Sequence, residues 1–187
     1  MLEELLKGKN PKEKIQNNLE ELLILIPEIK PMINFDHKNP NHNLDVFNHT
    51  LKTVEISEDD FLIRLVLLLH DIGKPYVCTE KDGIRHYKGH EQKSKELAQK
   101  ILKRLNYNKE FIEEVCMLIE KHDTLLTEET LMENKKQAET ILKIQYCDAY
   151  AHDPKTYKKR AEYLQKMVDL LKEDQRKVDI DLHKLKR

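Results

Sequence analysis

The stretch from Phe61 to Gly73, FLIRLVLLLHDIG, constrains this chain more than any other. It is apolar on nearly every side, so as a helix it belongs at the centre of a fold. Its end is chemically unlike its body. His70 and Asp71 follow directly on the most hydrophobic run of the sequence, Leu65 to Leu69. Burying an ionisable pair there is costly unless something compensates. Gly73, with Pro75 behind it, reads as the helix stop.

The rest of the chain reads as helices packed around that one. Four glycines among 187 residues lie far below the usual ~7%, and 36% charged residues lie above the usual quarter. Strand-rich folds spend glycine on tight turns and bulges. No proline lies between 76 and 153, so most of the second half can be helix.

Residues 12–26 are expected as an amphipathic helix, with Asn10 as cap and Pro11 in its first turn. Residues 27–43, with three prolines and four asparagines, are expected as a loop. Asp45 caps a helix to about Ser57, and Asp59 or Asp60 caps the central one. Residues 74–89 are expected as a loop, with a small hairpin near 76–88 turning on Asp82-Gly83. Helices follow at about 90–105, 109–122, 127–151 (broken near Asn134) and 154–172. The expected fold is all-α, a single helical bundle. Residues 1–30 are a helical extension, 31–152 the core, and 153–187 a C-terminal helix and charged tail.

Several function classes have little support. Neither G-x-G-x-x-G nor G-x-x-x-x-G-K-[ST] occurs. Neither serine, Ser57 or Ser94, sits in G-x-S-x-G. A net charge of −1 does not suit a wholesale nucleic-acid or membrane-surface binder. Cys78, Cys116 and Cys147 are odd in number and widely spaced, which suits a reducing cytoplasm. The charged start suits no signal peptide, and no apolar run approaches the ~20 residues of a membrane span.

The ionisable residues carry the chemistry. A metal ion compensates a buried His-Asp pair well, binding imidazole and carboxylate together. Adjacent helical residues point about 100° apart, so further ligands must come from other elements. His49 lies near the buried stripe of the preceding helix, and His90 opens a helix after Gly89. His122 ends a helix carrying Phe111, Val115, Leu118 and Ile119, and Asp148 sits among Ile144, Cys147 and Ala151. Five helices or helix ends thus each offer a ligand, as bundles build metal sites in their cores. Read singly, His90 or His122 is as well a cap, and Asp148 the partner of a lysine. His37, His152 and His183 read as surface residues, and His86 as a loop residue lining a site entrance.

The order His49, His70-Asp71, Asp148 resembles the H…HD…D signature of the HD superfamily of metal-dependent phosphohydrolases. PEIKPMINFDHKNPNHNLDVFNHTL and LLLHDIGKPYVCTEKDGIRHYKGHEQKSKELAQKILKRL are similar to the HD domain attached to tRNA nucleotidyltransferases. The polymerase's Gly-Ser and paired-aspartate motif does not occur in this sequence, so the expectation is a stand-alone HD domain without nucleotidyl transfer.

The resemblance implies that His49, His70, Asp71 and Asp148 hold one metal. It implies that His90 and His122 hold a second, with Asp71 bridging. Lys74 would contact a substrate phosphate, and Glu91 would support the site or donate a proton. On the residues alone, Lys74 is equally a helix C-terminal cap and Glu91 an N-terminal complement.

The chemistry implied is hydrolysis of a phosphomonoester or phosphodiester on a nucleotide, cyclic phosphate or RNA end by metal-activated water. One or two divalent ions among Mn, Fe, Co, Ni and Zn would serve. Alternatives are an HD-type di-iron oxygenase and a non-catalytic RNA-binding or regulatory module. The last would need a basic surface such as Lys93, Lys95, Lys100, Lys103 and Arg104 beside the pocket; these also read as a solvated helix face. The expected partner is a small phosphorylated substrate, without a membrane. RNA is not supported by net charge, and the oligomer is left open.

Overall fold

A computed structural model describes residues 1–39, 43–153, 155 and 157–173. The N-terminal segment comprises α1 (Leu2–Leu6), α2 (Pro11–Asn17), α3 (Leu19–Leu25) and a 3₁₀ helix, Pro27–Met32. Then come α4 (Val46–Ile56), α5 (Phe61–Leu69) and α6 (Lys74–Val77). A two-stranded antiparallel hairpin follows, β1 (Thr79–Lys81) and β2 (Ile84–His86). The chain continues as α7 (His90–Arg104), α8 (Lys109–Lys121), α9 (Glu128–Glu133), α10 (Lys135–Ala151) and α11 (Tyr157–Glu173). The fold is all-α apart from the hairpin.

The α5 helix is the centre, as its composition requires. Every residue from Ile63 to Leu69 is buried, and α1, α4, α8 and α10 pack around it. Asp60 caps it by accepting from the Ile63 amide, and Asp45 caps α4 by accepting from the Asn48 amide, each at 2.9 Å. The one charged side chain within α5, Arg64, is turned to structural use. Its guanidinium donates to the carbonyls of Leu6 and Gly8 and to Asp59, fixing the end of α1.

The hairpin forms where Asp82-Gly83 marks it, with Thr79 opposite His86. Asp82 (φ 53°) and Gly83 (φ 76°) are both left-handed, as the tight turn of a twisted hairpin demands. Asn134 breaks the 127–151 stretch as expected, capping α10 through the Gln137 amide.

Four expectations need correction. The 12–26 helix is split at Asn18, whose side-chain amide donates to the Lys14 carbonyl at 2.8 Å and so competes with the helical ladder. Asn10 is a left-handed turn residue (φ 57°) and makes no side-chain cap. Residues 27–32 are not loop: in a 3₁₀ helix, residues three apart align, and Ile29 and Met32 are both buried. Gly73 does not stop its helix in a left-handed conformation. Its φ is −80°, and the chain runs on into α6, with Pro75 tolerated in the first turn, where a loop was expected.

His37 is fully buried, not a surface residue, because residues 35–37 lie against residues 44–46, with His37 Nδ1 2.8 Å from the Leu44 carbonyl. Asp36 pairs with Asp45 across that return, and the Val46 amide donates to the Phe35 carbonyl. His183, the tail beyond Glu173 and Pro154 lie outside the described residues.

Candidate metal centre

The core brings the singled-out histidines and aspartates together. His49 comes from α4, His70 and Asp71 from the turn that ends α5, and Asp148 from α10. Ligand atoms of these four buried residues all lie within 4.8 Å of one another. His49 Nε2 lies 2.8 Å from Asp148 Oδ1, and His70 Nε2 lies 3.2 Å from Asp71 Oδ2 and 3.4 Å from Asp148 Oδ1.

Asp71, His90 and His122 form a second group of the same kind. Asp71 belongs to both, with Oδ2 facing His70 and Oδ1 lying 3.4 Å from His90 Nε2 and 3.9 Å from His122 Nε2.

The ring protons can be assigned from the main chain. Nδ1 of His70 faces the Leu67 carbonyl at 2.7 Å, Nδ1 of His90 faces Tyr87 at 3.0 Å, and Nδ1 of His122 faces Ile119 at 2.7 Å. A carbonyl only accepts, so each Nδ1 carries a proton, and a ring that holds no second proton presents a bare Nε2 to the centre. His70 Nε2 and Asp71 Oδ1 are buried and satisfy no hydrogen bond among the described residues. Orphaned buried groups of this kind call for a partner. Mixed imidazole nitrogen and carboxylate oxygen donors suit a divalent transition metal, so the residues fit one.

The electrostatics agree. Burial alone would raise Asp71, but His70 and Lys74 hold it well below the usual carboxylate range. Burial would lower His70, but Asp71 and Asp148 outweigh it and push it up to about 10. The pocket therefore takes up positive charge even as a proton. Burial keeps His49 and His122 below their ordinary values and so neutral, the form a metal binds.

Lys74 is buried, with Nζ donating to Asp71 Oδ2 at 2.7 Å. Glu91 is half-buried, with Oε2 3.5 Å from His90 Nδ1. Both line a cavity of about 370 Å³ that opens over the centre, as do Asp71, His90, His122 and Asp148. Lys95 pairs with Glu120 and Arg104 with Glu28; neither lines the cavity, nor do Lys93, Lys100 and Lys103.

The sequence reading missed cavity residues. Asp123 lines the wall beside His122, and Tyr87 stands near Lys74, donating from its hydroxyl to the His37 carbonyl. His152, taken for a surface residue, is a wall residue too, its Nε2 3.6 Å from Asp148 Oδ1 and its ring tilted over His49. One signal was available. Besides 70–71, the sequence holds His-Asp doublets at 122–123 and 152–153, both at this centre or its rim. Tyr87 had no such signal. Conversely, His86 sits exposed on β2 and is not among the residues lining the cavity, because strand alternation turns it outward.

A family model described as HD domain matches residues 41–173. The A-adding tRNA nucleotidyltransferase of Deinococcus radiodurans is 32% identical over 88 residues, covering 43% of this chain and 20% of that protein. The CC-adding tRNA nucleotidyltransferase of Thermus thermophilus is 29% identical over 113 residues, covering 57% of this chain and 26% of that protein. The multifunctional CCA protein of Shewanella denitrificans is 27% identical over 108 residues, covering 56% and 26%. The chain thus spans about a quarter of the length of these relatives or less. No helix among the described residues is long and apolar enough to cross a membrane.

Proposed function

The chain belongs to the HD domain family, whose members are in general metal-dependent hydrolases, and we propose that it hydrolyses phosphate esters of a nucleotide, cyclic phosphate or RNA end. The observation that carries this reading is the convergence of His49, His70, Asp71 and Asp148, with His70 Nε2 and Asp71 Oδ1 lacking hydrogen-bond partners among the described residues. These four residues would hold one divalent ion, and Asp71, His90 and His122 a second.

When bound, such an ion supplies an acidified water and polarises a phosphoryl oxygen. The chain's own groups do the rest. Lys74 lies on the cavity wall with its cation held by Asp71, placed to balance charge on a phosphoryl oxygen. Glu91, on the same wall and partly open to solvent, is placed to give or take a proton. The cavity volume, about 370 Å³, is at the small-ligand end of binding sites, which favours a mononucleotide or a chain end. The relatives' names concern tRNA, and that supports an RNA end among the candidates.

The test is a screen of nucleotides, 2′,3′-cyclic phosphates and p-nitrophenyl phosphates with Mn, Ni, Co, Zn and Fe. Phosphate or nitrophenol release without O₂ uptake is expected. O₂ consumption by the iron-loaded protein, without ester hydrolysis under any metal, would replace this reading with the oxygenase one.

A further inference from the structure

The rings of His90 and His122 meet in an arrangement that neutral imidazoles do not hold by themselves. Their Nε2 atoms are 3.2 Å apart, and both Nδ1 protons are committed to main-chain carbonyls. Without a further proton two lone pairs face each other, and a metal cation beside them relieves both. Asp71 Oδ1, buried and without a hydrogen bond among the described residues, points to the same place from one side. From the other side comes Asp123 Oδ2, 3.7 Å from His90 Nε2 and 3.8 Å from His122 Nε2. No other carboxylate stands so close to both rings except Asp71 itself, among the described residues.

We propose that Asp123 is the fourth protein ligand of the outer cation, joining Asp71, His90 and His122. This rests on the two-metal form of the function proposed above. The inner four residues are nearly sealed, whereas the Asp123 side chain is 45% exposed on the turn that follows α8. The outer ion is thus the exchangeable one, and the inner ion loads first.

Charge gives the outer position a purpose. The cavity wall carries four carboxylates, Asp71, Glu91, Asp123 and Asp148, against the single ammonium of Lys74. One divalent ion leaves that wall negative, and an anionic substrate is repelled. A second makes it positive. Asp123 therefore governs the step that opens the cavity to phosphate.

The experiment is calorimetric titration of Mn²⁺ into metal-free protein, wild type and Asp123→Asn. Inorganic phosphate is then titrated into each protein at a Mn²⁺ concentration that fills both sites of the wild type. Asp123 lies on an exposed turn, so the substitution leaves the core in place; a thermal melt of the metal-free variant checks this. The expected result is two binding steps in the wild type. In the variant the weaker step falls by about tenfold or more while the tighter step is unchanged, and phosphate affinity falls with it. Two unchanged steps in the variant would overturn the role of Asp123 alone. A single step in the wild type would overturn the outer site. No Mn²⁺ binding, by the wild type or with any other divalent ion, would overturn the metal-dependent reading as well.

Discussion

Gly73 and Ser94 meet backbone to side chain and backbone to backbone. The Gly73 amide donates to Ser94 Oγ at 2.9 Å, and a Cβ on Gly73 would lie 2.6 Å from the Ser94 amide nitrogen and 2.7 Å from the His90 carbonyl. This contact seats α7 on the turn after α5, and it fixes where His90 stands relative to Asp71. The position is glycine for want of room, not for want of a left-handed backbone, since its φ is −80°.

Gly73→Ala should therefore act on stability and site together. Overpacking of this kind costs about 1–3 kcal/mol, or roughly 2–12 °C in Tm at this chain length. The displacement of α7 should also weaken the metal step that uses His90. Ser94→Ala removes only the hydrogen bond, costs about 1 kcal/mol and should leave metal binding near normal. Denaturant melts and metal titrations of the two variants check this; equal effects in both would contradict the steric account.

Arg104 anchors the other end of α7. Its guanidinium makes two hydrogen bonds to the Glu28 carboxylate, at 2.7 and 2.8 Å, and a third to the Leu25 carbonyl. The Arg104 hydrogen bond holds Glu28 below its ordinary 4.5. A carboxylate lowered on folding adds stability that is full above its unfolded value and fades as pH falls through the folded one. The pair is partly exposed, so Arg104→Ala should cost under about 1 kcal/mol at neutral pH. That cost should shrink as pH falls from 4.5 through the lowered value of Glu28 in the wild type, below which Glu28 is protonated in both proteins. Denaturant titrations at neutral and acidic pH measure the difference; a cost that grows on acidification would contradict the assignment.

A metal that binds only the folded chain stabilises it by mass action. At a free concentration of about 100 times Kd, one site contributes about 2.7 kcal/mol, or roughly 5–11 °C at this chain length. Thermal melts with and without Mn²⁺, followed by chelation, should show a reversible rise of that order. An unchanged Tm at saturating metal would contradict a site built from the folded core.

The local code of the fold was plain in the sequence wherever a residue acts on its near neighbours. Asp45 and Asp60 cap the helices that they precede, Asp82-Gly83 makes its turn, and Asn134 breaks its helix. What was misread depends on partners distant in the chain. Gly73 answers to α7, which lies about a score of residues on, and His37 is buried only because its segment folds back on α4. The candidate ligands were legible because His70, Asp71 and Asp148 are ionisable groups on faces too apolar to expose. Asp123 and His152 offered no such contradiction. Each lies at the end of a helix, and only the meeting of α8, α10 and the α5 turn makes them walls of a cavity.

The central claim is that His49, His70, Asp71 and Asp148 hold a divalent metal, and Asp71 is the residue common to both groups. The most direct measurement is bound metal per folded chain, by elemental analysis after equilibration with Mn²⁺, Ni²⁺ or Zn²⁺ and desalting. The comparison is wild type against Asp71→Asn, which keeps the shape of the side chain, with circular dichroism confirming the helices. The account predicts at least one equivalent in the wild type and little above trace in the variant. A folded Asp71→Asn protein carrying the wild-type complement of metal would contradict it.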